Sequence, residues 1–320
     1  MAQPIVKIRG VSKSFGKKLV LDNVSLDINE GEIFGIIGTS GAGKTTLLQT
    51  MVGFYSADKG DISYKKEGVG VLAYLTLKSN PSLKQSIGFS TQSPSFYDKL
   101  TVKENLEYFA KLYDIPDQYI QQRIKKIVDL VELTGEENTL GGELSGGMQK
   151  RLDIACSLIH DPKILILDEP TADLDPLLRK HIWKLIKKIN SLGKTVIISS
   201  HFLDEIDELC SRIAIIYNRT AAHIGTAEEL RLNYSYDKEV IVNLESKNYP
   251  KIAALLKGFP MSKMTVRGSS MVVYTKEPEL ILKKVIDIAE REKENILDLQ
   301  IQRPTLNEVF TSIIKGVKSQ

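Results

Sequence analysis

Cysteine is scarce in this 320-residue chain: only Cys156 and Cys210 occur, each inside an apolar-periodic segment. Neither they nor the four histidines show metal-ligand spacing. Disulfide scaffolds and zinc folds are excluded, and the two thiols read as small buried hydrophobes in a reducing compartment. A long hydrophobic run is missing too. The most apolar stretch, Val69 to Leu77, falls far short of the roughly 18 to 20 residues of a membrane helix. A membrane role would therefore require a separate chain. Met1-Ala2-Gln3-Pro4 lacks the charged-then-apolar pattern of a secretion signal. Charge of one sign is not in excess: the formal net charge is +3, with 26% charged residues. No basic stripe marks a nucleic-acid binder, and no nucleic-acid partner is expected. The longest basic run, Arg179, Lys180, Lys184, Lys187 and Lys188, reads as a solvated helix face.

What is present suffices for one large core and a smaller domain, since 42% of the residues are hydrophobic. The first part alternates short apolar runs with amphipathic patterns, as in a sheet covered by helices. Ile33 to Ile37, Lys163 to Leu167, Thr195 to Ile198 and Ile213 to Tyr217 read as strands buried on both faces. Leu178, Ile182, Leu185, Ile186 and Ile189 recur at helical spacing, with Gly193 as the stop. Thr101-Val102-Lys103-Glu104 is a capping box opening another helix. Residues 62–86 look like a hairpin or loop insertion at the domain edge.

After about residue 228 the pattern changes. Strand and helix periods alternate as β-α-β-β-α-β, the order of a ferredoxin-like split motif. Leu282, Val285, Ile286 and Ala289 mark its second helix, and Leu297, Leu299 and Ile301 its last strand. A final helix follows, with Thr305 and Glu308 at its start and a stripe of Leu306, Val309, Phe310, Ile313, Ile314 and Val317. That stripe is expected to pack on its own domain.

Gly38-Thr39-Ser40-Gly41-Ala42-Gly43-Lys44-Thr45 matches the P-loop pattern. Glycines let the backbone turn so that its N–H groups face phosphate oxygens, and the next helix offers its positive end to the same anion. Lys44 reaches the β and γ phosphates of ATP, and Thr45 offers a hydroxyl to Mg²⁺. Downstream, Lys163 to Leu167 ends in Asp168-Glu169. Adjacent strand residues point to opposite sides, so Asp168 is suited to the metal and Glu169 to taking a proton from water.

These residues resemble the ABC ATPase family. Leu144-Ser145-Gly146-Gly147-Met148 is similar to its signature motif, usually L-S-G-G-Q. Gln92 falls where the family has its Q-loop, Thr171-Ala172-Asp173-Leu174-Asp175 resembles the D-loop, and His201 follows a strand as the switch histidine does. Phe15 stands where the family stacks an aromatic ring on adenine. The resemblance covers residues 4 to 228. It implies an α/β P-loop ABC ATPase core at 1–228, a helical signature subdomain at about 95–155, and an accessory domain at 229–320. It implies catalytic roles for Glu169, His201 and Gln92, and a metal set of Thr45, Gln92 and Asp168. Nucleotide contacts are implied at Phe15, Gly38, Thr39, Ser40, Gly41, Ala42, Gly43, Lys44, Thr45, Thr46, Ser145, Gly146, Gly147 and Asp175. Two ATP molecules would lie between two head-to-tail subunits.

Met148 departs from the usual glutamine. L-S-G-G-M, with the tail Arg303-Pro304-Thr305-Leu306-Asn307-Glu308-Val309-Phe310, resembles ATPases of ABC-2-type exporters. The implied partners are a second ATPase subunit and a separate transmembrane permease, with this chain on the cytoplasmic face of the membrane. The competing reading is a soluble ABC ATPase outside transport. The single ATPase unit, the lack of sustained heptads and the lack of zinc cysteines weigh against several of its forms.

Overall fold

A computed structural model describes residues 3–66, 73–234, 238–303 and 305–314. They belong to two compact units, Met1–Thr226 and Ala227–Gln320.

In the first unit β1 (Pro4–Phe15) and β2 (Lys18–Asn29) form a long antiparallel hairpin around Gly16-Lys17. The buried strand β3 (Ile33–Ile37) runs through a glycine-rich loop into α1 (Lys44–Met51). β4 (Lys59–Lys66) and β5 (Ala73–Thr76) follow, and a 3₁₀ turn at Pro81–Ser86 leads to β6 (Ile87–Ser90). The helices α2 (Val102–Leu112), α3 (Asp117–Leu130) and α4 (Gly146–Leu158) pack on one another. Then come β7 (Ile164–Asp168), α5 (Pro176–Ser191), β8 (Thr195–Ser200), α6 (Leu203–Leu209), β9 (Arg212–Tyr217) and β10 (Thr220–Gly225).

Two sheets result. One is antiparallel, in the order β2-β1-β4-β5. The other runs β10-β9-β3-β8-β7-β6 and is parallel except for β10. A parallel sheet needs both faces covered. One core supplies this on one side, joining β1, β2 and β4 to Leu47, Leu48 and Met51 of α1 and to Phe34, Ile36, Ile166 and Ile197. The antiparallel sheet is the part that sequence patterning misses. Register shifts at Ile8/Val11, Val11/Lys13 and Lys13/Ser14 break the alternation that would announce β1. Beyond β4, four residue pairs from Ser63↔Thr76 to Lys66↔Ala73 make β5 an edge strand. Residues 67–72, with the first part of the Val69 to Leu77 stretch, lie outside the described residues.

The second unit begins with α7 (Ala227–Tyr234), which periodicity did not reveal. Then follow β11 (Lys238–Leu244), α8 (Tyr249–Leu256), β12 (Lys263–Arg267), β13 (Ser270–Thr275), α9 (Pro278–Glu292) and β14 (Ile296–Gln302). The sheet is antiparallel in the order β12-β13-β11-β14, the ferredoxin-like arrangement. Val240, Val242 and Leu244 pack with Ile252, Leu256, Ile281 and Val285 on one face. The α9 stripe is Ile281, Val285, Ile288 and Ala289: Val285 and Ala289 are buried as expected, and Ile281 and Ile288 take the places expected of Leu282 and Ile286. In β14 a register shift opposite Asn243/Leu244 pairs Ile296 with Leu244, leaving Leu297 exposed. The final helix α10 (Leu306–Ile314) packs against α7 and buries Leu306 and Val309. Phe310 is half-buried, while Ile313, Ile314 and Val317, and Pro304 of the tail motif, lie outside the described residues or side chains.

Candidate active site

The P-loop glycines have steric reasons. A Cβ at Gly38 would lie 2.6 Å from the Ile216 carbonyl oxygen. At Gly43, where φ is 103°, it would lie 2.8 Å from Leu21 Cδ2 and 3.0 Å from the Val20 carbonyl oxygen. The loop is thus wedged against β2 and β9, and its left-handed turn precedes the helix start. Lys44 is buried; its Nζ donates to the Gly38 carbonyl at 3.0 Å and lies 3.4 Å from Glu169 Oε1. Thr39 and Ser40 follow β3 in the same loop, Gly41 and Thr45 are exposed, and Ala42 and Thr46 are half-buried.

β7 brings the two carboxylates to this loop. Asp168 is 1% exposed, and its Oδ1 accepts from Ser199 Oγ at 2.5 Å. Glu169 leaves the strand at φ 49°, a sharp left-handed turn. Its backbone N–H donates to Ser199 Oγ at 2.9 Å. Its side chain faces Lys44 through Oε1 and His201 through Oε2, which lies 2.7 Å from His201 Nδ1. At that distance the Nδ1–H tautomer donates to the carboxylate. Lys44, Asp168, Glu169 and His201 therefore converge at the C-terminal ends of β3, β7 and β8, where open α/β sheets bind ligands.

The other expected residues occupy distinct places. Gln92 is exposed in the loop after β6. Phe15 ends β1, is 40% exposed, and meets Tyr55 edge-on at 4.9 Å. Ser145 caps α4, its Oγ accepting from the Met148 N–H at 3.4 Å. Gly146 is exposed and Gly147 buried. Asp175 caps α5, accepting from the Leu177 and Leu178 N–H groups at 2.9 and 3.0 Å. Among the described residues, no hydrogen bond or ion pair joins Ser145, Gly146, Gly147 or Asp175 to the P-loop.

Several supports escaped the sequence reading. Asp153 of α4 is buried; its Oδ1 accepts from the Ser95 N–H at 2.8 Å and its Oδ2 from Ser90 Oγ. Lys150 Nζ donates to the Thr91 carbonyl at 2.9 Å. The signature helix thus grips both flanks of the loop that carries Gln92. Arg179 requires a correction. It is not part of a solvated face: its side chain is 23% exposed and pairs with the buried Glu205 at 3.5 Å. It turns inward because a buried carboxylate and an aromatic face lie beside the first turn of α5. Burial pushes the Glu205 carboxyl above its usual range, against the hydrogen bond from Thr171 and the charge of Arg179.

The donor set suits Mg²⁺. Thr45, Asp168 and Gln92 offer only oxygen ligands of the kind a small hard cation prefers, and one Asp168 oxygen is held by Ser199.

A phosphate-wrapping loop, a helix start and a strand-end carboxylate pair beside a histidine define a P-loop ATPase of the ABC type. Residues 21–172 match the family described as ABC transporter. The chain belongs to that family. It is 30% identical over 311 residues to the linearmycin resistance ATP-binding protein LnrL of Bacillus subtilis (strain 168), covering 97% of this chain and 98% of the relative. It is 31% identical over 281 residues to the Nod factor export ATP-binding protein I of Rhizobium sp. (strain N33), covering 88% and 89%. Among solved structures it resembles a dimeric ATP-binding cassette in a post-hydrolysis state with ADP and Pi. There the TM-score is 0.59 and the identity 28%, over 69% of this chain and 98% of the other. The chain is an ATP-binding, ATP-hydrolysing subunit of an ABC transporter, which sets aside the reading as an ABC ATPase outside transport. Among the described residues no helix is long and apolar enough to cross a membrane.

Proposed function

We propose that this chain is the motor of an ABC exporter, working as a head-to-tail pair on the cytoplasmic face of a membrane beside a separate permease. The observation that carries the chemistry is Glu169, with one oxygen 3.4 Å from Lys44 Nζ and the other 2.7 Å from His201 Nδ1. In this reading the amides of residues 38–46 and Lys44 bind the phosphates of ATP. Glu169 takes the proton of the attacking water. His201 orients that carboxylate and meets the γ-phosphate. Thr45, Asp168 and Gln92 would hold Mg²⁺, which would supply positive charge against the charge that develops on the phosphates. Phe15 offers its exposed ring to adenine. Ser145, Gly146 and Gly147, with Asp175, serve the nucleotide of the second subunit. Their distance from their own P-loop in the hydrogen-bond network supports this.

Export is the favoured direction because LnrL and the Nod factor protein are named for resistance and export and match 97% and 88% of this chain. Those spans reach into the 229–320 domain, which we assign to dimer support or regulation. The test is capture of partners by tagged Glu169→Gln, solubilised mildly from its native cells with Mg·ATP. Co-purification of a polytopic membrane protein is expected. Recovery of self-dimers alone would remove the exporter reading and leave the ATP chemistry.

A further inference from the structure

The D-loop and the switch segment meet around one guanidinium. Arg179 lies in the first turn of α5, just after Asp175. Its Nε donates to the Leu174 carbonyl at 2.8 Å. Its Nη1 lies 3.5 Å from Glu205 Oε1, and its Cζ stands 3.7 Å above the Phe202 ring. Phe202 in turn packs on His201, with ring centroids 4.0 Å apart. Glu205, 6% exposed, also accepts from Thr171 Oγ1 at 2.6 Å. Arg179 thus reaches the D-loop at Leu174 directly and at Thr171 through Glu205, and the switch segment at Phe202. The same helical turn carries Leu178, whose Cδ2 would lie 2.9 Å from a Cβ placed on Gly147. Signature helix, D-loop and switch therefore share one turn of α5.

We infer that Arg179 is a positioning residue for ATP hydrolysis, fixing the D-loop against the switch segment so that His201 stays on the Glu169 carboxylate. The inference rests on the roles proposed above for Glu169 and His201. A salt bridge alone would need only a charge. The contacts here use the planar face, the Nε fork and the charge together, and lysine supplies only the last.

The experiment compares Arg179→Lys and Arg179→Ala with the unaltered full-length chain, in ATP hydrolysis over a range of Mg·ATP and in thermal unfolding. Arg179→Lys keeps a cation beside Glu205, so its melting temperature is expected to stay close to that of the unaltered chain. Its KM is expected to stay within about twofold, while kcat falls roughly 10- to 100-fold, the scale of a catalytic group displaced by about 1 Å. Arg179→Ala is expected to lose at least as much kcat and to melt lower, because the buried Glu205 loses its cation and keeps only neutral hydrogen-bond partners such as Thr171. Full kcat in Arg179→Lys, or a kcat loss restored in step with stability, would overturn the inference. Glu169→Gln runs alongside. If it hydrolyses ATP normally, the reading of the site falls first; if it is inactive and Arg179→Lys is not, the inference alone fails.

Discussion

Ser199 is where one hydroxyl serves two acids. Its Oγ donates to Asp168 Oδ1 and accepts the Glu169 N–H. Ser199→Ala would leave the buried Asp168 Oδ1 without that donor, at a cost of about 1–3 kcal/mol, while the Glu169 N–H would keep the Ser199 carbonyl at 3.2 Å. Urea unfolding is expected to show that loss, and hydrolysis is expected to slow because the Asp168 carboxylate loses the hydroxyl that holds it and the turn at Glu169 loses one of its two acceptors. A variant with unchanged stability would show that Ser199 is dispensable. The sequence announces Lys44, Asp168 and Glu169 because the chemistry forces fixed local spacing on them. It does not announce Ser199, Glu205 or Arg179 as supports. Asp168 and Ser199 are 31 residues apart, and Thr171 and Glu205 are 34 apart. Only the pairing of β7 with β8 makes the first pair neighbours. Arg179 was hidden for another reason: within a run of lysines, an inward arginine carries the same charge pattern as an outward one.

At the scale of elements, the buried strands and α5 were legible because continuous apolar runs and the 3.6-residue period leave little choice. β1 and β14 were partly obscured by bulges, which shift the register and break period two. In the second unit, β11 and α10 meet through acids. Glu239 on β11 is 3% exposed. Burial first, then the Glu308 carboxylate, raises its pKa to about 7. Arg267 on β12 and Tyr274 on β13 face the same pair, and Arg267 donates to Glu308. Glu308 is held low by hydrogen bonds from Glu239 and Arg267, which outweigh its own burial. Because the folded pKa of Glu239 lies above its unfolded value, its protonated form favours the fold. That contribution is fully present below about pH 4.5 and is lost as pH rises through about 7. Glu239→Gln removes the titration. Its melting temperature relative to the unaltered chain is therefore expected to be steady below about pH 4.5, to rise between about pH 4.5 and 7, and to level off above that. A difference independent of pH over that range would refute the assignment.

The whole molecule poses the question of where one active site ends. Lys44, Asp168, Glu169 and His201 cluster at the P-loop, yet among the described residues the signature residues make no hydrogen bond or ion pair to it. If each site is built from one subunit's P-loop and the other's signature, two different inactive variants should repair each other. Lys44→Ala removes the cation proposed to meet phosphate. For the signature, Gly146→Asp is cleaner than a change at Gly147, where a Cβ would press on Leu178, while at Gly146 it would meet open space. An aspartate at the first position of α4 is also favourable to the helix, so the fold is spared. Its carboxylate would oppose the γ-phosphate of the second subunit. Each variant alone is expected to be inactive, since every site in its dimer carries the defect. In a mixed dimer one site carries both defects and the other carries neither. Random pairing makes half the dimers mixed, each with one sound site of two, so an equimolar mixture should recover about a quarter of the unaltered activity. ATP hydrolysis measured after the two purified chains are combined decides it. Recovery would show that signature and P-loop act across the pair, whereas a mixture as inactive as its parts would place both motifs in a site that a single subunit completes.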